Sequence, residues 1–127
     1  MKRSIFTYVI LALITSSQAS AQTLAAGAVY GNELGCIKQS GGDGLDAWRQ
    51  LTFKGIEAHE TYCEFVDLQV SSKGDYLASA ICYSEGFIAP DLFSISPILQ
   101  GNGFEVSNVG NDIISSPVGI FEKCEAK

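Results

Sequence analysis

Residues 59–84 read HETYCEFVDLQVSSKGDYLASAICYS, and the fold turns on whether the first half of this stretch is a chemical site or a strand. His59 is the only histidine of the chain, and Glu60, Cys63 and Glu64 follow it closely. Thr61, Tyr62, Phe65, Val66 and Val70 favour extended backbone over helix. Val66, Leu68 and Val70 alternate on one face, whereas Cys63 and Phe65 alternate in the opposite phase. One extra residue near Phe65–Val66 reconciles the two phases, so the pattern predicts a β-bulge there. On such a strand His59 and Cys63 are roughly 13 Å apart, at about 3.3 Å per residue. That spacing cannot share a metal ion, and the second histidine of a H-E-x-x-H zinc motif is missing. His59 therefore reads as a strand residue at the surface.

The extended reading makes SSKGD, residues 71–75, the loop of a hairpin. Val70 then faces Tyr76, Leu68 faces Ala78, and Val66 faces Ala80, which Phe65 shares across the bulge. Glu64 faces Ile81, and Cys63 faces Cys82. Both cysteines point to the core side with Leu68, Val70, Ala78 and Ala80. Directly opposed residues in an antiparallel pair have Cα atoms about 4.5–5.5 Å apart, within the reach of a disulfide. The expected pairing is Cys63–Cys82, which leaves Cys36–Cys124 to tie the two ends of the domain. Without the bulge Cys63 would face Tyr83, and Cys36–Cys63 with Cys82–Cys124 would be the better pairing.

Outward from the hairpin, short apolar runs alternate with turn residues. WRQLTF precedes Lys54-Gly55, YLASAICYS precedes EGFIAPD, LFSIS ends at Pro97, GNG precedes FEVS, and Pro117 leads into VGIFEKC. Regularly spaced short strands with glycine turns predict an all-β antiparallel meander, a small barrel or sandwich stapled by disulfides. The meander is assigned to residues 48–127. Residues 22–47 read as a flexible N-terminal segment and glycine-rich loop, with at most a turn of helix near Leu45–Arg49.

Residues 1–21 are a leader. Lys2 and Arg3 precede the apolar IFTYVILALI, and Ala19-Ser20-Ala21 fits the small-residue cleavage rule. The apolar run is about ten residues, too short to span a bilayer. The expectation is cleavage after Ala21 and a soluble periplasmic or secreted product. Export also explains the cysteines, because an even number in a small exported chain signals disulfides. Loss of Lys2 and Arg3 leaves six basic residues against fourteen acids. Such a surface repels nucleic acid and anionic lipid and attracts cationic proteins. The plainer account of the acidity is solubility.

No catalytic constellation emerges. A serine triad would have to use His59, and no G-x-S-x-G elbow occurs. Glu57, Glu60 and Glu64 are the acids placed for glycosidase chemistry, but carboxylates along a strand usually face solvent. SGGDGLD lacks both the lysine of a phosphate loop and the ligand ladder of a calcium loop. Neither metal nor cofactor is expected. Trp48, Tyr62, Tyr83 and Phe87 are the remaining candidates, as anchors of a binding surface. The expectation is the other reading, that they fill the core.

LTFKGIEAHETYCEF, ASAICYSEG and the terminal FEKC resemble small exported domains of alphaproteobacteria. Their E-x-x-C step is matched by Glu60 and Cys63, their C-x-x-E-G step by Cys82, Glu85 and Gly86, and their terminal cysteine by Cys124. The resemblance covers residues 50–124 and implies a bacterial envelope location, with no assigned activity. A looser resemblance is to periplasmic inhibitors of c-type lysozyme, which are small disulfide-containing β-barrels. Their S-G-x-x-Y inhibitory loop is matched at Ser40-Gly41, but Gly42-Asp43-Gly44 follows with no tyrosine. The reading is a non-catalytic domain that binds a protein or envelope component. The runner-up is an inhibitor of a cationic host enzyme such as c-type lysozyme.

Overall fold

A computed structural model describes residues 23–43, 45–98, 102–110 and 117–125. Eight strands run in chain order: β1 (Tyr30–Gly31), β2 (Arg49–Thr52), β3 (Gly55–Ala58), β4 (Thr61–Val70), β5 (Tyr76–Ser84), β6 (Phe87–Pro97), β7 (Gly103–Asn108) and β8 (Gly119–Lys123). Each pairs antiparallel with the next, and β8 returns to β1, so the sheet is a closed barrel. Closure removes the unpaired edges on which open sheets associate. The expected all-β meander is thus a barrel, and residues 1–21, read as a leader, lie outside the described residues.

The barrel is filled by side chains, as expected for eight strands. Leu51, Ile56, Cys63, Cys82, Phe93, Ile95 and Phe104 are fully buried, and Phe121 almost so. On β5 the small residues Ala78, Ala80 and Cys82 point inward. Ala78 lies opposite Phe93, so a small residue on one strand leaves room for a ring on the next. Tyr30 meets Phe104 edge to face, with ring centroids 5.0 Å apart.

The β4–β5 register matches the expectation at its decisive positions. Cys63 faces Cys82, Glu64 faces Ile81, and Leu68 faces Ala78. The ladder steps from Phe65↔Ala80 to Asp67↔Ser79, so Val66 is the extra residue of a β-bulge. Two side chains are corrected. Val66 and Val70 are 63% and 61% exposed, not part of the core. The bulge takes Val66 out of the ladder, and Val70 ends its strand beyond the packed interior. The Cys63–Cys82 disulfide crosses adjacent strands inside the barrel, with Cα atoms 4.0 Å apart.

The N-terminal region differs most from its reading as flexible segment and loop. Tyr30 and Gly31 form the strand that closes the barrel, and Leu24 and Tyr30 are buried. A helix, α1 (Glu33–Gln39), follows at once. Asn32 caps it: its Oδ1 accepts from Gly35 N at 2.8 Å and Arg49 N at 2.9 Å, and its Nδ2 donates to Ala47 O at 2.7 Å. Glu33 in the first turn and Lys38 in the last complement the helix dipole. Gly35 packs so close to β2 that a Cβ would stand 1.9 Å from Arg49 O. The Cys36–Cys124 disulfide then ties α1 to the residue after β8. A seven-residue helix is too short to hold by propensity; its cap, its disulfide and the glycine contact hold it. The turn expected near Leu45–Arg49 is a short 3-10 helix at Leu45–Ala47.

Candidate binding surface

Two tight turns emerge side by side at one rim of the barrel. His59-Glu60 connects β3 to β4, and Glu85-Gly86 connects β5 to β6. Glu85 and Gly86 both have positive φ, 45° and 83°, the pattern of the type I′ turn that suits hairpin twist. Glu60 is also left-handed, at φ 56°. His59 therefore sits in a turn and not on a strand. Its Nε2 lies 3.6 Å from Asp46 Oδ1 and 3.8 Å from Glu60 Oε1. Cys63 is buried inside the barrel and bonded to Cys82, so it has no thiol to share a ligand with His59. No group of three metal-ligating side chains occurs among the described residues.

Below these turns the outer face carries an unbroken cross-strand row. Gln50 on β2 faces Glu57 on β3, Glu57 faces Tyr62 on β4, Tyr62 faces Tyr83 on β5, and Tyr83 faces Ile88 on β6. The rings of Tyr62 and Tyr83 stack, with centroids 6.4 Å apart and planes at 15°. Thr61 and Ser84 share a hydroxyl–hydroxyl hydrogen bond of 3.1 Å at the rim. Phe87 and Ile88, which open β6, are 71% and 69% exposed.

Helix α1 forms the side wall. Gln50 Nε2 donates to Gly35 O at 2.8 Å, holding α1 over the outside of β2. Lys38, in the last turn of α1, places its ammonium 3.8 Å from the centre of the Trp48 ring. Between wall and floor lies an open groove of about 700 Å³, bounded by Trp48, Tyr62, Tyr83, Phe87 and the acids Glu57, Glu60 and Glu85. The Tyr62 hydroxyl is pushed above the ordinary phenol range, first by burial and then by the negative charges of Glu64 and Glu57.

The expectation that Trp48, Tyr62, Tyr83 and Phe87 fill the core is overturned. All four border the groove, and none is in the buried set. The reason is the two-residue period of a strand. Cys63 and Cys82 take the inward positions, so their neighbours Tyr62 and Tyr83 must point outward. Once the cysteines are paired across the hairpin, the alternation alone carries that signal. Of the acids weighed for catalysis, Glu57 and Glu60 border the groove, and Glu64 lies one row further along β4. The cysteines do not enter the groove, and none is free among the described residues.

A second cleft, of about 590 Å³ between α1 and β8, has no aromatic side chain on its walls. Ser40, where the lysozyme-inhibitor loop would begin, ends α1, and its Oγ donates to Ile37 O at 2.9 Å. Known protein families, curated proteins and solved structures contain no match to this chain.

Proposed function

We propose that the protein is an exported, non-catalytic binding domain of the bacterial periplasm, and that its ligand is a cationic protein. The observation that carries this reading is the placement of Trp48, Tyr62, Tyr83 and Phe87 around one groove with Glu57, Glu60 and Glu85. Exposed aromatics are typical anchors of protein interfaces, because they bury much area for little lost side-chain freedom. The carboxylates add attraction for a basic partner, in keeping with the net charge of −6 of the full chain. The leader and the disulfides support an exported location. A second copy of the chain is a poor occupant, because it would set the same acids against each other.

The test is capture from envelope extract by the mature protein, beside a Tyr83→Ser/Phe87→Ser variant. The expected result is basic proteins that are retained at low salt, more weakly as salt rises, and lost with the variant. Identical capture by both proteins would refute the reading. A lysozyme activity assay at both salt concentrations examines the inhibitor reading, and no inhibition at micromolar protein removes it.

A further inference from the structure

The aromatic groove already carries a cation of its own, and the role inferred for that cation rests on the groove being a binding surface. Lys38 is the one basic residue lining the groove among the described residues. Its ammonium stands 3.8 Å from the Trp48 ring centre, well inside the ~6 Å limit of a cation–π contact. Acids line the same groove, yet among the described residues no carboxylate lies within ion-pair distance of this ammonium. The aromatic face alone holds the charge. Glu57 and Glu85 likewise have no cationic partner among the described residues. The groove thus offers an aromatic face that accepts a cation and carboxylates left to pair with another.

We infer that the Trp48 face is a subsite for an arginine or lysine side chain of the partner, filled in the free protein by Lys38. The incoming side chain displaces Lys38 from the ring and brings its own charge to Glu57 or Glu85. Arginine suits the site better than lysine, because its planar guanidinium stacks on an indole and sheds water more readily. Lys38 is suited to stand in and leave. It is exposed, its stem is flexible, and an exposed cation–π contact is weak. A site occupied from within binds its ligand with an affinity reduced to the fraction of molecules in which the site stands free.

Trp48 is the chain's only tryptophan, so its fluorescence reports the subsite directly. The mature protein is titrated at low salt with an acetylated, amidated tetra-arginine peptide. Three variants are compared: Lys38→Met, Lys73→Met and Tyr83→Ser/Phe87→Ser. Lys73→Met removes the same charge in the β4–β5 loop, at the opposite rim. Lys38→Met is expected to bind the peptide about two- to fivefold more tightly than wild type, the range of an exposed cation–π contact. Lys73→Met is expected to show no such gain. Equal gains in the two lysine variants would mean long-range charge and overturn the inference, as would no gain or a loss in Lys38→Met. Peptide binding that the Tyr83→Ser/Phe87→Ser variant abolishes keeps the groove as the binding surface even then. No binding by wild type, or binding indifferent to that double substitution, overturns both the inference and the reading beneath it. A concentration-dependent dimer that buries Trp48 would overturn both as well, by making a second copy the occupant.

Discussion

Replacing Glu85 by asparagine should make the protein more stable and its binding weaker at the same time. Glu85 holds φ at 45° in the first central position of the β5–β6 turn. A left-handed backbone costs an ordinary L residue about 1–2 kcal/mol. Asparagine tolerates that region far better, and Asn-Gly is the preferred type I′ pair. Relief of part of the strain gives an expected gain of about 0.5–1 kcal/mol. For a domain of this size that is a rise of roughly 2–8 °C in Tm. Glu85→Gly relieves the same strain but restores freedom to the unfolded chain at about 0.5–1 kcal/mol, so its gain should be smaller. Glu85 also borders the groove, and an exposed carboxylate is worth about 0.2–1 kcal/mol to a cationic ligand. Binding of the arginine peptide should fall about 1.5- to 5-fold. Thermal melts followed by circular dichroism at low salt and at 1 M salt separate strain relief from relieved charge repulsion. Only the latter disappears when salt screens the surface. An unchanged or lower Tm at 1 M salt would refute the strain argument. A higher Tm with unchanged peptide affinity would refute the role given to the carboxylate.

Ile56→Ala opens a cavity at a fully buried position and should cost about 2–5 kcal/mol in urea unfolding. Val66→Ala, at the exposed bulge, should stay within about 0.5 kcal/mol, and a large loss there would mean the bulge residue packs inward. Under mild reductant the half-buried Cys36–Cys124 pair should be labelled by a thiol reagent before Cys63 and Cys82, which are 0% exposed. Simultaneous labelling would show that reduction requires global unfolding. The Tyr30 hydroxyl is raised above 10.0 by burial and then by Tyr76, and that of Tyr62 by burial and neighbouring acids. Because the folded state holds these protons more tightly, their contribution is complete below pH 10.0 and fades as pH rises through the folded values. Tyr30→Phe should therefore flatten the alkaline decline in Tm, and an unchanged decline would contradict it.

Local patterns in the chain determine much of this protein. Alternation along residues 61–84 carries the β4–β5 hairpin, and the phase change near Phe65 carries the bulge. Bulge and hairpin together set Cys63 opposite Cys82, which by elimination pairs Cys36 with Cys124. These features are legible because the two-residue strand period and the turn chemistry act between near neighbours. Barrel closure is different. Tyr30–Gly31 is only two residues long, with no period to read, and becomes a strand because β2 and β8 offer it backbone partners on both sides. Helix α1 likewise depends on Asn32 reaching Ala47 and Arg49, and on Cys36 reaching Cys124. The choice among aromatics is also tertiary. Phe93, Phe104 and Phe121 fill the interior while Phe87 and Tyr83 stay exposed. An eight-stranded barrel has room for few rings, and the register around the whole closed sheet decides which of them enter. The groove is the consequence: Trp48, Tyr62, Tyr83 and Lys38 come from separate parts of the chain and meet only when α1 is laid against the wall of the barrel.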